Sequence, residues 1–550
     1  MVYFELPLEH RCSERSDTDD GPRPPFSSFS SFSQTKLKWN IILTKDDGSA
    51  KLWIKARKEV MEKTRTERQL MPSLPAWEIT IYTAAWAILI SYAAYSSVSD
   101  IGARIDHYYE DSDPEWDALA LAVPFLALHF VGAQCLKKHS PGNLPALYFL
   151  VGALWIGWLI GVKGLAFLLI QPVLLFLVKH LTGSDKLIYI AALGYKIMEV
   201  SGPMVFLKEV ALGPEEFSFN RIIGNITEAW INLRAMSCCL DLIWRDVASA
   251  GTWGDFSKML AHSFYMPVLV LGPVIRFREF NDGLEGKYRP WDAKRVTSFT
   301  LLLLRFSFWW MVAQLARPLN LSAITYAAYD LDVADSMWTF CGVGYILGQF
   351  FTLQYVVFYG FPRAFYLADG IEDIPAPRCI CRISHYSDMW RHFDVGLYKF
   401  IQKYFYLPLI VRHPGTLTKL FASFVTFCFV YMFHGWQKYI LIWSGLNFLG
   451  VTLEAVGKSL CRTPAYKRME RAHLSPASQR RLYAVGSSLV LLLALTSQLY
   501  FLVADVAKGN MFAYRFICTW PYGTPVFLLT LYFGTQFSYE VRNWEVGRWE

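Results

Sequence analysis

The feature that most limits this chain is a repeated run of apolar residues long enough to cross a lipid bilayer. A spanning helix needs about 20 mostly apolar residues. Such runs occur at Trp77 to Ser96, Ala118 to Cys135, Pro145 to Val162, Leu165 to Leu181, Leu187 to Leu207, Phe299 to Ala316, Trp338 to Phe361, Tyr439 to Ala455, Leu482 to Val503 and Tyr522 to Phe537. Two more, His262 to Ile275 and Leu420 to Phe433, are too short unless polar flanking residues are drawn into the membrane, and otherwise re-enter it. Backbone polar groups in lipid must be satisfied within the segment, so the runs predict helices. The expected fold class is all-α: a polytopic integral membrane protein with roughly ten transmembrane helices plus re-entrant or interfacial ones. Trp77, Trp309, Trp310, Trp338 and Tyr522 lie near segment ends, where an interfacial aromatic belt places them.

Composition agrees: 54% of the residues are hydrophobic and only 18% are charged. The net charge of +7 is spread along connecting loops, which suits cytoplasmic loops and anionic headgroups and argues against a nucleic-acid surface. The ten cysteines form no paired framework, so structural disulfides are not expected. Residues 1–70, Ser-rich and then basic, read as a disordered extension, followed by a membrane domain over 71–540 and a tail over 541–550. The acidic loop from His107 to Asp117 lacks EF-hand spacing and reads as a solvated connector. The sequons at Asn225 and Asn320 border apolar segments, where a glycosyl transferase has poor access.

Chemistry concentrates between Pro377 and Glu454. The stretch from Pro377 to Ile401 mixes large apolar residues with charge and is too polar to span. As one helix it would put Trp390, Phe393, Leu397 and Ile401 on one side, with Arg391 and Asp394 on adjoining faces, able to carry an acid and a base at the mouth of a cavity. An amphipathic surface helix with Arg and Asp facing water is the plain alternative. Downstream, His434 interrupts an apolar run just before Gly435. Ionisable groups at membrane depth are costly and mark cavities or partners, with a satisfied core histidine as the plain alternative. Imidazole can take a proton from an attacking group and return it to a leaving group.

The block Met389-Trp390-Arg391-His392-Phe393-Asp394, then Phe433-His434-Gly435, then Trp443-Ser-Gly-Leu-Asn447, resembles the acidic and histidine motifs of the membrane-bound O-acyltransferases, and within them the Hedgehog acyltransferase branch. Leu271-Gly-Pro-Val-Ile-Arg-Phe-Arg-Glu-Phe280 is similar to another segment of that family, and the resemblance runs from Met71 to near the end. It implies helices packed around a membrane-crossing catalytic cavity in the endoplasmic reticulum membrane, with the Golgi as a second location. The implied reaction moves palmitate from palmitoyl-CoA to the α-amino group of an N-terminal cysteine on a secreted protein, Hedgehog-like or, as a second class, EGF-like. His434 is then the general base and Asp394 positions substrate. Trp390, Arg391, Trp443 and Asn447 line the substrate site, and Arg391, Lys399 and Lys403 offer charge to the CoA phosphates. In its Pro-Arg-Cys context, Cys379 matches the cysteine that binds haem b in that branch. Rivals are a lipid or sterol O-acyltransferase, a non-catalytic membrane regulator, against which His434 speaks, and a transporter, whose internal repeats are not evident in the sequence.

Overall fold

The computed structural model describes residues 71–104, 114–199, 202–214, 218–334, 336–412 and 415–547. The extension expected at 1–70 and most of the acidic loop lie outside them. All regular structure among the described residues is helical. Helices α1 (Ala76–Arg104), α2 (Pro114–His139) and α3 (Leu144–Thr182) come first, followed by α4 (Asp185–Met198), α5 (Gly202–Leu212), α6 (Phe219–Ile243) and α7 (Thr252–Ser263). An irregular buried segment leads to α8 (Phe277–Leu284), then the long α9 (Ala293–Tyr329) and α10 (Met337–Ala368). Short helices α11 (Tyr386–His392), α12 (Val395–Ile401) and α13 (Leu407–Arg412), with a π-helical turn at Gln402–Tyr406, precede α14 (Thr416–His434) and α15 (Lys438–Cys461). The chain closes with α16 (Pro464–His473), α17 (Pro476–Val503), α18 (Val506–Ile517) and α19 (Gly523–Gly547).

Eight helices are long and apolar enough to cross a membrane, or nine if the bent pair α4 and α5 counts as one span. The difference from roughly ten has local causes. The two runs between Pro145 and Leu181 are continuous as α3, which is two helical pieces joined across a kink at Gly161, with a φ of 82° near the end of the first run. The run from Leu187 to Leu207 is bent by 75° between α4 and α5. The run from Tyr522 to Phe537 is helical in α19 but diluted by Thr524, Thr530, Thr535 and Gln536. Leu420 to Phe433 recruits Thr416, Thr418 and Lys419 and reaches spanning length as α14. His262 to Ile275 is not a span: only its start is α-helical, and the rest is buried and irregular apart from one 3₁₀ turn at Met266–Val268. There Trp230 donates to the Val270 carbonyl at 2.8 Å and Arg234 to that of Val268, replacing hydrogen bonds a helix would have made. On the spans, Leu154, Val162, Leu304 and Leu315 point outward, as lipid-facing side chains do.

Two polar locks hold the bundle. Asp369, past the end of α10, pairs with His129 of α2 at 2.9 Å and accepts from Tyr265, while Lys137 donates to the carbonyls of Gly283, at 2.7 Å, and Asp369. These groups are buried, so each bond offsets a desolvation cost of several kcal/mol. The second lock is Arg480 near the start of α17. Its guanidinium is fully buried and donates to the Gln536 side chain at 2.8 Å and carbonyl at 3.2 Å, to the Pro72 carbonyl at 3.0 Å, and to Glu540. Beside it Arg481 pairs with Glu78, and Asn543 exchanges hydrogen bonds with the backbone of Met71. The last helix continues past position 540 to Gly547.

Both sequons lie within helices. Thr227 of α6 is buried and donates to Ile223, and Ser322 of α9 donates to Pro318, so neither segment is an extended, accessible acceptor.

Candidate active site

His434 ends α14, and the reason is the next residue. Gly435 has a φ of 122°, a backbone region that disfavours any side chain, so the helix stops with the imidazole on its last turn. The rings of Phe433, Trp443 and Phe501 stand edge-on to the imidazole at 5.4, 5.1 and 5.6 Å. His434 keeps part of its surface accessible, and no hydrogen-bond partner for its ring occurs among the described residues. An aromatic box with an available imidazole is suited to hold an apolar chain beside a proton acceptor.

Four of the expected residues converge here. Trp390 of α11 lies 5.8 Å from Trp443, and its Nε1 donates to Asn447 Oδ1 at 3.0 Å. Asn447 in turn donates to the Trp443 carbonyl at 2.7 Å and is fully buried. Tyr386, at the start of α11, is fixed to Ser497 of α17 at 2.7 Å. Ser387 is held by Glu454, which also pairs with Lys458 at 2.6 Å. Helix α11 is thus tied to α15 and α17 from both ends of the motif.

Asp394 does not sit within one helix as the periodicity suggested. The chain breaks at Phe393 and restarts, with Asp394 as the N-cap of α12 accepting from Leu397 N at 2.8 Å. Asp satisfies an otherwise unpaired N–H at a helix start, which explains the break. Its second oxygen accepts from the Tyr359 hydroxyl at 2.6 Å, so neither oxygen is given to the imidazole. Burial pushes the Asp394 carboxyl up to about 6, against the opposing pull of its hydrogen bonds. Phe393 stacks on Phe351 at 5.4 Å, and Phe351 meets Phe501 at 5.8 Å, so a chain of rings joins the carboxylate side to the histidine side.

Phe501, Tyr359, Tyr355 and Phe351 were not anticipated. Phe351, Tyr355 and Tyr359 recur every four residues on α10, a stripe visible in the sequence but indistinguishable there from ordinary packing. Glu115 of α2 also comes near, accepting from Gln354 at 2.8 Å. Arg391 is half-buried beside Trp390 on α11. The basic residues offered to CoA fare differently. Lys403 is committed to Asp241 at 2.7 Å and Asp246 at 2.9 Å inside the protein, and Lys399 pairs with Glu372 at 3.3 Å. A cation neutralised by two carboxylates is a poor phosphate site, so Lys403 is withdrawn from that role.

Cys379 is half-buried, and a hydrogen bond from Cys381 holds its thiol down to about 6. Gln349 donates to Cys381 at 2.9 Å. No group of three or more His, Cys, Asp or Glu residues suited to a metal ion occurs among the described residues. The nine cysteines described are all free.

The chain is 36% identical over 280 residues to the protein-cysteine N-palmitoyltransferase Rasp of Drosophila melanogaster, covering 50% of this chain and 54% of that protein. It is 31% identical over 293 residues to the protein-cysteine N-palmitoyltransferase HHAT of Mus musculus, covering 52% and 57% respectively. The chain therefore spans about half the length of these two curated relatives. The HHAT-like protein of Mus musculus is 21% identical over 452 residues, covering 75% of this chain and 84% of that protein. Residues 147–496, which carry His434, Asp394 and most of the aromatic box, match the membrane-bound O-acyltransferase family, and this membrane protein belongs to it.

Proposed function

We propose that the chain is a protein-cysteine N-palmitoyltransferase that moves palmitate from palmitoyl-CoA to the α-amino group of an N-terminal cysteine on a secreted, Hedgehog-type protein. The observation that carries the proposal is the imidazole of His434, available and framed by Phe433, Trp443 and Phe501, with the Asp394 carboxylate across a wall of rings. The names of the fly and mouse relatives support the acyl group and the cysteine acceptor, and the motif resemblance supports the Hedgehog class.

The amine nitrogen attacks the thioester carbonyl, and the C–S bond breaks as the new C–N bond forms. His434 takes the proton lost by nitrogen and delivers it to the departing CoA sulfur. A free α-amino group has a pKa of about 7.7 to 8.0, so a modest base suffices near neutral pH. Asp394, above about 6, is a carboxylate that attracts and orients the amine. Trp390 and Trp443 hold the acyl end, Asn447 fixes both from behind through its hydrogen bonds, and Arg391, next to Trp390, is the basic residue assigned to the CoA phosphates. A thiolate at Cys379, lowered by its hydrogen bond from Cys381, would suit the axial position of haem b, and no step at His434 is routed through it.

Sidedness supports two access routes. Arg481 with Glu78 and Arg480 with Glu540 bring the starts of α17 and α1 and the end of α19 to one face, which the connector from Arg462 to Ser475 shares. That face carries Lys458, Arg462, Lys467, Arg468, Arg471, Arg480 and Arg481, the pattern of a cytoplasmic surface. His434 lies at the opposite end of α14 and α15, towards the lumen, where a secreted substrate is met; the endoplasmic reticulum is the membrane proposed.

The test is transfer of labelled palmitate from palmitoyl-CoA to a Hedgehog N-terminal peptide by purified protein, with His434→Ala and an amine-blocked peptide as controls. Loss of roughly 10²- to 10⁴-fold in rate on removing His434, with acyl-CoA binding retained, is the expected result. Folded protein that binds acyl-CoA but acylates only lipid would replace this reading with a lipid O-acyltransferase.

A further inference from the structure

We propose that α16 and its approach form a site for anionic phospholipid headgroups, built from Arg462, Arg468 and Arg471. The helix starts cleanly, with Thr463 as N-cap accepting from Tyr466 N and Pro464 in the first turn. Its inner side is anchored: Glu470 is buried, accepts from Tyr483 and pairs with Lys467 at 2.8 Å. Its outer side has two strips. Ala465, Met469 and Ala472 recur at helical spacing and are all exposed, Met469 by 48%. Arg468 and Arg471 form the adjoining strip, also exposed, with Arg462 just before the helix. An apolar strip beside a basic one is the arrangement of a helix lying in the plane of a membrane surface.

The pairing pattern separates these three arginines from the other cations of the same face. Lys458 pairs with Glu454, Lys467 with Glu470, Arg480 with Glu540 and Arg481 with Glu78. Arg462, Arg468 and Arg471 make no ion pair with any described residue. Helix α16 is short and joined at both ends to candidate spans, so it stays at the membrane surface and meets ligands arriving laterally in the leaflet. Guanidinium groups match phosphate by paired hydrogen bonds, and the strip of Ala465, Met469 and Ala472 gives the acyl region beneath the headgroup a surface to rest on. A soluble anion would use only the arginines, and the apolar strip therefore points to a lipid. The inference rests on the sidedness proposed above and not on the chemistry at His434.

The whole chain is reconstituted into phosphatidylcholine nanodiscs containing a minor fraction of phosphatidylserine, extracted gently, and its retained lipids are counted by native mass spectrometry. Phosphatidylserine is expected to be retained above its share of the bilayer. The triple variant R462Q/R468Q/R471Q should reduce that excess by roughly fivefold per arginine. The triple lysine variant, which keeps the charge and loses the paired hydrogen bonds, should fall between wild type and the glutamine variant, and Lys508→Gln, on the opposite face, should leave the excess unchanged. Millimolar inorganic phosphate should not strip the lipid. The proposal is overturned if the glutamine variant retains the wild-type excess, if phosphatidylserine is held no better than phosphatidylcholine, or if free phosphate displaces it. Because lipid retention is the readout, a failure here is distinct from a failure to transfer palmitate.

Discussion

Replacing Asp394 by asparagine separates what that carboxylate does for the fold from what it does for the reaction. Its Oδ1 caps α12 through Leu397 N, a role asparagine fills about as well, and its Oδ2 accepts from Tyr359. The folded carboxyl stands at about 6, above the ordinary value for Asp. Stability attached to this group is therefore fully present below the unfolded value and is lost as pH rises through about 6. At neutral pH the ionised form costs about 3 kcal/mol, from about 1.4 kcal/mol per unit of displacement. The Asp394→Asn change removes that cost and weakens the Tyr359 bond, so the variant should melt at or above the wild-type temperature at pH 7.5. Its transfer rate should nevertheless fall roughly 10²- to 10³-fold, the effect of deleting one oriented electrostatic group. Plotted as the ratio of wild-type to variant rate, the dependence of the amine and the imidazole on pH cancels, and the ratio should collapse as pH falls through about 6. A variant that transfers palmitate within a few-fold of wild type, or a ratio flat across that range, would refute a carboxylate role in the reaction.

Three other substitutions probe the supports of the site. A Cβ at Gly396 would lie 2.6 Å from the Val274 carbonyl oxygen and 2.7 Å from its nitrogen, so Gly396→Ala should shift the start of α12, costing about 1 to 3 kcal/mol and lowering transfer more than melting temperature. Glu454→Gln weakens the hold on Ser387 and Lys458; a loss of about 1 to 2 kcal/mol is expected, and Trp390 should become more readily quenched in fluorescence. Arg480→Ala strands Gln536 and the partly exposed Glu540, and thermal unfolding should show a loss of about 3 kcal/mol.

How much of this could be read from the residues depends on the range of the interaction. Spans were legible because hydropathy is a local property of twenty or so residues. Two that failed to appear as drawn were broken by one backbone angle at Gly161 and by a bend after Met198, and neither leaves a hydropathy signal. His434, Trp390, Trp443 and Asn447 were legible as a set, and they do meet. Asp394 was placed inside a helix because side-chain periodicity was weighed above its preference for a helix start. Phe501 had no signal: it is one aromatic in an apolar span, and only the packing of α17 against α15 and α10 brings it to the imidazole.

The Arg480 clamp also orders the protein's biogenesis. The guanidinium is made before Gln536 and Glu540, which belong to the last helix, while its partner carbonyl at Pro72 has been waiting since before the first. During synthesis α1 and α17 enter the membrane with this contact unmade, and only the arrival of α19 neutralises the buried cation. A chain stopped short of α19 lacks Gln536 and Glu540, so the cation that they neutralise in the finished bundle is left without its carboxylate.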